Sequence, residues 1–231
     1  MEKAITFLIE FVQSYYHQKK IFNILKNFEI RNVFDVGAHK GEFIKIVKKL
    51  KNIEKIYSFE PQKKIYQKLN IFSIENKIFC FNFALGNSNE IRNLKINKKT
   101  STSTFSDINN LSLWYKIKSF ILRGPSKSSF IYEEKVNVMK LDDFCDDYKI
   151  SNIDLLKIDT EGHEKQVLEG ALNLIKEKKI KYILLEFNLS NMYSNYNVND
   201  LENFLDYYNF KLLKKYKFPF IPIEDRIYSL V

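Results

Sequence analysis

Cysteine, tryptophan, proline and glycine are scarce in this chain, with 2, 1, 4 and 6 residues respectively among 231. Cys80 and Cys145 stand far apart with no metal-binding or redox spacing. A disulfide framework is therefore not implied, and a reducing, cytoplasmic setting is expected. No apolar run approaches the roughly 18 residues needed to cross a bilayer. The first twenty residues carry acids inside their apolar stretch and lack a small-residue cleavage site, which argues against a signal peptide. No internal repeat or low-complexity linker interrupts the chain. Acids are outnumbered, 28 against 37 Lys and Arg, for a net charge of +9. That excess suits anionic acceptors such as nucleotide-sugars or lipid-linked glycans. Because the lysines are spread along the chain, a nucleic-acid partner is not expected.

Hydrophobic residues make up 45% of the chain, enough for a globular fold with one good core, so residues 1–231 read as a single α/β domain. Its organising stretch runs from Arg31 to Pro61. Asn32–Val36 is a β-branched and aromatic run that stops at Gly37, as a buried strand does. Gly37 and Gly41 bracket a turn, and Phe43, Ile44, Val47 and Leu50 recur at helical spacing. Ile56–Phe59 is a second strand, ending in Glu60 and Pro61. Such a β-turn-α-β unit places a site for a ribose-containing ligand at the carboxyl ends of parallel strands.

The ligand is not a dinucleotide by this pattern. His39 and Glu42 occupy the positions where the fingerprint GxGxxG has its second and third glycines. Asp35 at the end of the first strand would repel a pyrophosphate but suits a cationic ligand. S-adenosylmethionine has an ammonium, a sulfonium and a ribose diol that Glu60 can hold. Gly37 and Gly41 let the backbone approach it, and the following helix N-terminus favours its carboxylate. The plainer alternative is a strand–turn–helix corner with Asp35 and Glu60 solvated at strand ends.

Residues 1–29 carry amphipathic helical periodicity that suits packing on the sheet edge or over the pocket, with at most peripheral membrane contact. Lys63–Phe72 reads as a helix and Lys77–Phe83 as a strand. Asn82 and Phe83 at its end are candidate contacts for an adenine, or simply a strand end turning at Gly86. Thr100–Thr104 is a hydroxyl-rich loop. Residues 106–135 are irregular, an insertion suited to shaping acceptor specificity or a lid. Ile153–Ile158 is a buried strand, Asp159 to His163 a turn, and Glu164–Ile175 a helix. Lys181–Phe187 is a strand, Asp200–Tyr208 a helix, and Phe210–Tyr216 and Arg226–Val231 the final strands.

Taken in order, VFDVGAHKGEF, SFEP, FNFALGN, VNVMKLDDF and DLLKIDTEGHEKQVLEGA resemble the FkbM-type S-adenosylmethionine-dependent methyltransferases over about residues 31–190. The resemblance implies a doubly wound, Rossmann-like seven-stranded sheet, mostly parallel with a reversed last strand. It implies methyl transfer to a hydroxyl of a sugar, glycan or glycolipid. It carries over Asp35, Gly37, Ala38, Gly41 and Glu60 as cofactor contacts, and Asp159, Glu161 and Gly162 as a second signature. The acceptor region lies outside the match. N-methylation on the same scaffold, or a non-catalytic cofactor-binding partner module, stays open.

On this reading Asp159 lines the methionine end of the cofactor. His163 or Glu161 takes the acceptor proton, histidine being favoured by its unperturbed pKa of about 6.5. Without any catalysis, Thr160 could cap the next helix and Glu161 and Glu164 could suit its positive end. Asp159, Glu161 and His163 could also join a metal site, but no further clustered ligand is visible, so none is assigned. His39 is expected to point to solvent.

Overall fold

The computed structural model describes residues 18–97, 100–109, 111–115, 130–218 and 221–231. Its helices are α1 (Gln18–Leu25), α2 (Ile44–Val47), α3 (Lys63–Leu69), α4 (Leu141–Asp147), α5 (Glu164–Glu169), α6 (Leu172–Lys176) and α7 (Val198–Tyr207). Its strands are β1 (Asn32–Val36), β2 (Lys55–Phe59), β3 (Ile78–Phe81), β4 (Ala84–Leu85), β5 (Glu90–Asn97), β6 (Phe130–Met139), β7 (Ile153–Ile158), β8 (Ile180–Asn188), β9 (Phe210–Lys217) and β10 (Ile223–Leu230).

Seven strands form one sheet in the order β3-β2-β1-β7-β8-β10-β9. Only β10, the last in the chain, runs against its neighbours, antiparallel to both β8 and β9. A sheet of parallel strands is covered on both faces, and β1, β2 and β7 are accordingly near-continuous buried runs whose successive residues face opposite layers. On one face Phe34, Val36, Phe59, Leu156 and Ile158 pack with Phe144 and Leu168. On the other, Val33, Ile56, Leu155 and Leu184 pack with Leu25, Ile44 and Val47.

Several segments differ from the sequence-based expectations. The helix expected after the glycine turn is the four-residue α2, flanked by turns, so it presents little helix N-terminus to a ligand. The helix expected over 164–175 breaks at Gly170 into α5 and α6. There a Cβ would lie 1.9 Å from the Gly86 carbonyl oxygen, so only glycine permits the approach. A second sheet, β4-β6-β5, stands beside the main one and was not expected as such. Half of the 106–135 insertion (residues 110 and 116–129) and residues 1–17 lie outside the described residues.

Candidate active site

A cavity of about 710 Å³ opens along the carboxyl edge of the parallel strands. That is within the usual range for small-molecule sites, about 300–1,000 Å³. It is reached by the tips of five strands, through Gly37 after β1, Glu60 after β2, Asp159 after β7, Glu186 in β8 and Asp225 in β10.

The β1 turn is held by backbone bonds. The Gly37 and Ala38 N–H groups donate to the Phe59 carbonyl at 3.1 and 3.0 Å, and Asp159 N–H donates to the Val36 carbonyl at 3.1 Å. Gly37 adopts φ +78°, and a Cβ there would lie 1.9 Å from the Asp159 carbonyl oxygen. Glycine is thus required twice over, by conformation and by the touching of two strand ends.

Glu60 is 3% exposed. Its Oε2 accepts from His39 N–H at 3.0 Å and its Oε1 from Gln62 N–H at 2.8 Å. The Gln62 side chain adds a further hydrogen bond to the same carboxyl. Burial outweighs these bonds and pushes the carboxyl up to about 7. His39 does not point to solvent. Its φ is +47°, and its Nδ1 lies 3.2 Å from Glu42 Oε1 with the side chain mostly covered. Although burial opposes the Glu42 charge, the His39 ring and nearby N–H groups hold that carboxyl down at about 2.

Of the residues expected around a cofactor, Gly37, Ala38, Glu60 and Asp159 line the cavity. Asp35, Gly41, Asn82 and Phe83 do not. Asp35 is fully buried and its Oδ1 lies 3.1 Å from Lys157 Nζ. Gly41 faces the Phe72 ring, which a Cβ would meet at 2.5 Å. The Asn82 amide donates to the Glu60 and Pro61 carbonyls at 2.9 and 3.0 Å, bracing the β2 tip. Phe83 packs in the aromatic core against Phe59, ring centroids 5.5 Å apart.

Lys157 was not singled out by the sequence. Its Nζ touches Asp35, lies 3.4 Å from Asp159 Oδ2 and donates to the Gly37 carbonyl at 3.2 Å. Burial works against its charge, but Asp35 and Asp159 hold its pKa well above the ordinary lysine value. Among the described residues the acids lining the cavity are Glu42, Glu60, Asp159, Glu161, Glu186 and Asp225, against two lysines, Lys40 and Lys157. In a chain of net charge +9 this is a locally anionic cavity, suited to a cationic ligand.

Glu161 and His163, the two residues expected to take the acceptor proton, sit on the β7–α5 turn with Asp159. Glu161 is in the left-handed region, φ +54°, and its carboxylate accepts the Tyr193 hydroxyl. The Thr104 hydroxyl donates to the Glu161 carbonyl and the Ser106 hydroxyl to the Gly162 carbonyl at 2.6 and 2.7 Å, so part of the expected hydroxyl-rich loop braces this turn. His163 is 2% exposed against the Phe105 ring, and no hydrogen bond reaches its Nε2. Burial, aided by Arg92, pushes the His163 pKa down to about 3, so its imidazole is neutral and weakly basic. Thr160 does not cap α5 with its side chain. Instead Glu164 reaches back, its Oε1 accepting from Thr160 N–H and Oγ1 at 2.9 and 3.0 Å and from Gly162 N–H at 3.1 Å.

A family model described as the methyltransferase FkbM domain matches residues 35–212. Magnesium protoporphyrin IX methyltransferase from Synechocystis PCC 6803, solved with bound S-adenosylmethionine, superposes with a TM-score of 0.51 at 10% identity, over 93% of this chain and 80% of that one. A conserved hypothetical protein from Streptococcus pyogenes superposes with a TM-score of 0.50 at 10% identity, over 93% and 95%. At such identities the likeness is one of fold. No curated protein matches by sequence.

Proposed function

The chain belongs to the FkbM methyltransferase family and is an S-adenosylmethionine-dependent methyltransferase, and we propose that it methylates a hydroxyl of a sugar, glycan or glycolipid. S-adenosylmethionine supplies an electrophilic methyl group on a sulfonium. Glu60 would hold the ribose hydroxyls with oxygens not filled by its backbone donors, and Gly37 and Ala38 would line the cofactor's path along the β1 tip. Asp159, steadied by Lys157, would accept from the ammonium of the methionine end. The anionic lining lowers the free energy of a cationic cofactor relative to its neutral product, which favours release after transfer.

The observation that carries the acceptor reading is the mixture of groups on the remaining wall. Glu161 and Glu186 offer carboxylate oxygens, which accept hydroxyl protons, and the Phe105 ring offers an apolar face for the C–H side of a sugar. A phosphate placed among these acids would be repelled, so a nucleotide-sugar fits only with its phosphates held outside the cavity. The residues' task is alignment: holding the acceptor oxygen in line behind the methyl carbon can supply roughly 7–11 kcal/mol of the barrier.

The test pairs calorimetry with label transfer. S-adenosylhomocysteine should bind wild type and lose at least tenfold in affinity with Glu60→Ala. Methyl-labelled S-adenosylmethionine should label a glycan or glycolipid fraction and leave RNA unlabelled. Labelled RNA with unlabelled glycans would overturn the acceptor assignment while leaving the cofactor assignment standing.

A further inference from the structure

We propose that Glu186 takes the proton of the acceptor hydroxyl as the methyl group is transferred. The inference rests on the methyl-transfer reading above and adds a residue to it.

Position comes first. In the sheet order, Glu60 ends β2, Asp159 follows β7 and Glu186 is near the end of β8. Adjacent strands are about 4.8 Å apart, so Glu186 stands about 14 Å from the β2 tip, one strand beyond Asp159. A cofactor with its ribose at Glu60 and its amino acid end at Asp159 leaves Glu186 on the far side, where an acceptor would enter. Register agrees. Lys157 pairs with Leu184, so Glu186, two residues on, projects from the same face at the cavity edge, and Asp225 is its direct cross-strand partner.

Availability comes second. Asp159 is paired with Lys157, Glu161 holds the Tyr193 hydroxyl, Glu60 holds two backbone N–H groups and Glu42 is paired with His39. His163 is too weakly basic to take a proton effectively. Among the described residues no hydrogen bond or ion pair occupies the Glu186 carboxyl, although it lines the cavity.

Charge supplies the trigger. Burial holds the Glu186 carboxyl well above its ordinary range, and Asp159 and Glu161 beyond β7, Asp225 on β10 and Glu164 on α5 push it the same way. The neighbouring cation is Lys157, already shared by Asp35 and Asp159. Before the cofactor arrives these surroundings disfavour the Glu186 carboxylate. A sulfonium placed near it would favour the carboxylate, so that cofactor binding would draw a proton off the site to solvent. In the transfer the acceptor oxygen bonds to the methyl carbon, the carbon–sulfur bond breaks with its electron pair going to sulfur, and the hydroxyl proton passes to the Glu186 carboxylate. The products are a methyl ether, a neutral thioether and a protonated Glu186, so charge and atoms balance. Spent cofactor then no longer holds the carboxyl ionised.

S-adenosylmethionine and S-adenosylhomocysteine differ by the methyl group and the sulfonium charge, which allows a test that needs no acceptor. Binding of each would be measured by calorimetry at pH 7 in buffers of different ionisation enthalpy, which counts protons exchanged. Wild type should release more protons with S-adenosylmethionine than with S-adenosylhomocysteine. Glu186→Gln should abolish that difference while still binding S-adenosylhomocysteine, and Glu186→Asp should retain part of it. An undiminished difference in Glu186→Gln, or none in wild type, would overturn the proposal. Failure of wild type to bind either ligand would instead overturn the cofactor-site reading.

Discussion

Asp35 and Lys157 are register partners on adjacent parallel strands, and their charged atoms meet 3.1 Å apart on a buried face of the sheet. Lys157 also lines the cavity and reaches the Gly37 carbonyl and Asp159. One buried cation thus ties the two strand ends that would cradle the cofactor.

Lys157→Met should destabilise the protein by about 3–5 kcal/mol, because it leaves Asp35 buried without its counter-charge. The double substitution Asp35→Asn with Lys157→Met should recover part of that loss. Urea unfolding of the wild type and the two variants measures both. Equal losses in the single and double variants would show that the pair is not the source.

Gly37→Ala should abolish S-adenosylhomocysteine binding or prevent folding. The residue combines φ +78° with an approach that puts a Cβ 1.9 Å from the Asp159 carbonyl oxygen. Gly86→Ala makes a useful comparison, since no positive φ is required there and the first atom a Cβ meets is a Val138 side-chain methyl at 2.7 Å rather than backbone. Thermal melts with and without ligand distinguish the two, and an unimpaired Gly37→Ala would contradict the close-packed turn.

Glu164 makes stability depend on pH. Its folded pKa, raised by burial to about 7, lies above its ordinary value of 4.5. Between those values the folded state holds a proton that the unfolded state has released. Its contribution is therefore fully present below about pH 4.5 and is lost as pH rises through about 7. The loss is on the order of 2–3 kcal/mol. Glu60, raised to the same value, acts with the same sign. The ligand-free protein should melt at higher temperature at pH 5 than at pH 8, and Glu164→Gln should shrink the difference. An unchanged slope in that variant would assign it elsewhere.

Tyr193→Phe removes the hydroxyl that Glu161 accepts without disturbing the ring that packs over Gly162. Stability should fall by about 1.5–3 kcal/mol, as for a bond to a charged group. S-adenosylhomocysteine affinity should be unchanged, because Glu161 is assigned to the acceptor side. A parallel loss of cofactor affinity would move Glu161 to the cofactor.

Much of the frame was legible because it depends on local pattern. Ile153–Ile158 has the bounds read from its apolar run, and the glycine turn and Glu60 stand where the β-turn-α-β pattern put them. Contacts between distant segments were not legible. Lys157 sits in an apolar strand, and only the β1–β7 register brings it to Asp35. The break at Gly170 depends on Gly86, more than eighty residues earlier, and the small sheet depends on strands separated by the insertion. Asp35 and Asn82 were read as ligand contacts because they stand at strand ends. The structure turns one into the sheet and uses the other to brace Glu60.

The most direct measurement is a crystal structure of the complex with S-adenosylhomocysteine. The ribose hydroxyls should lie within hydrogen-bond distance of Glu60 and the amino group beside Asp159, with the sulfur facing the β8 side of the cavity. Electron density for the ligand away from the Gly37–Glu60 edge, or a ribose held by other residues, would contradict the account.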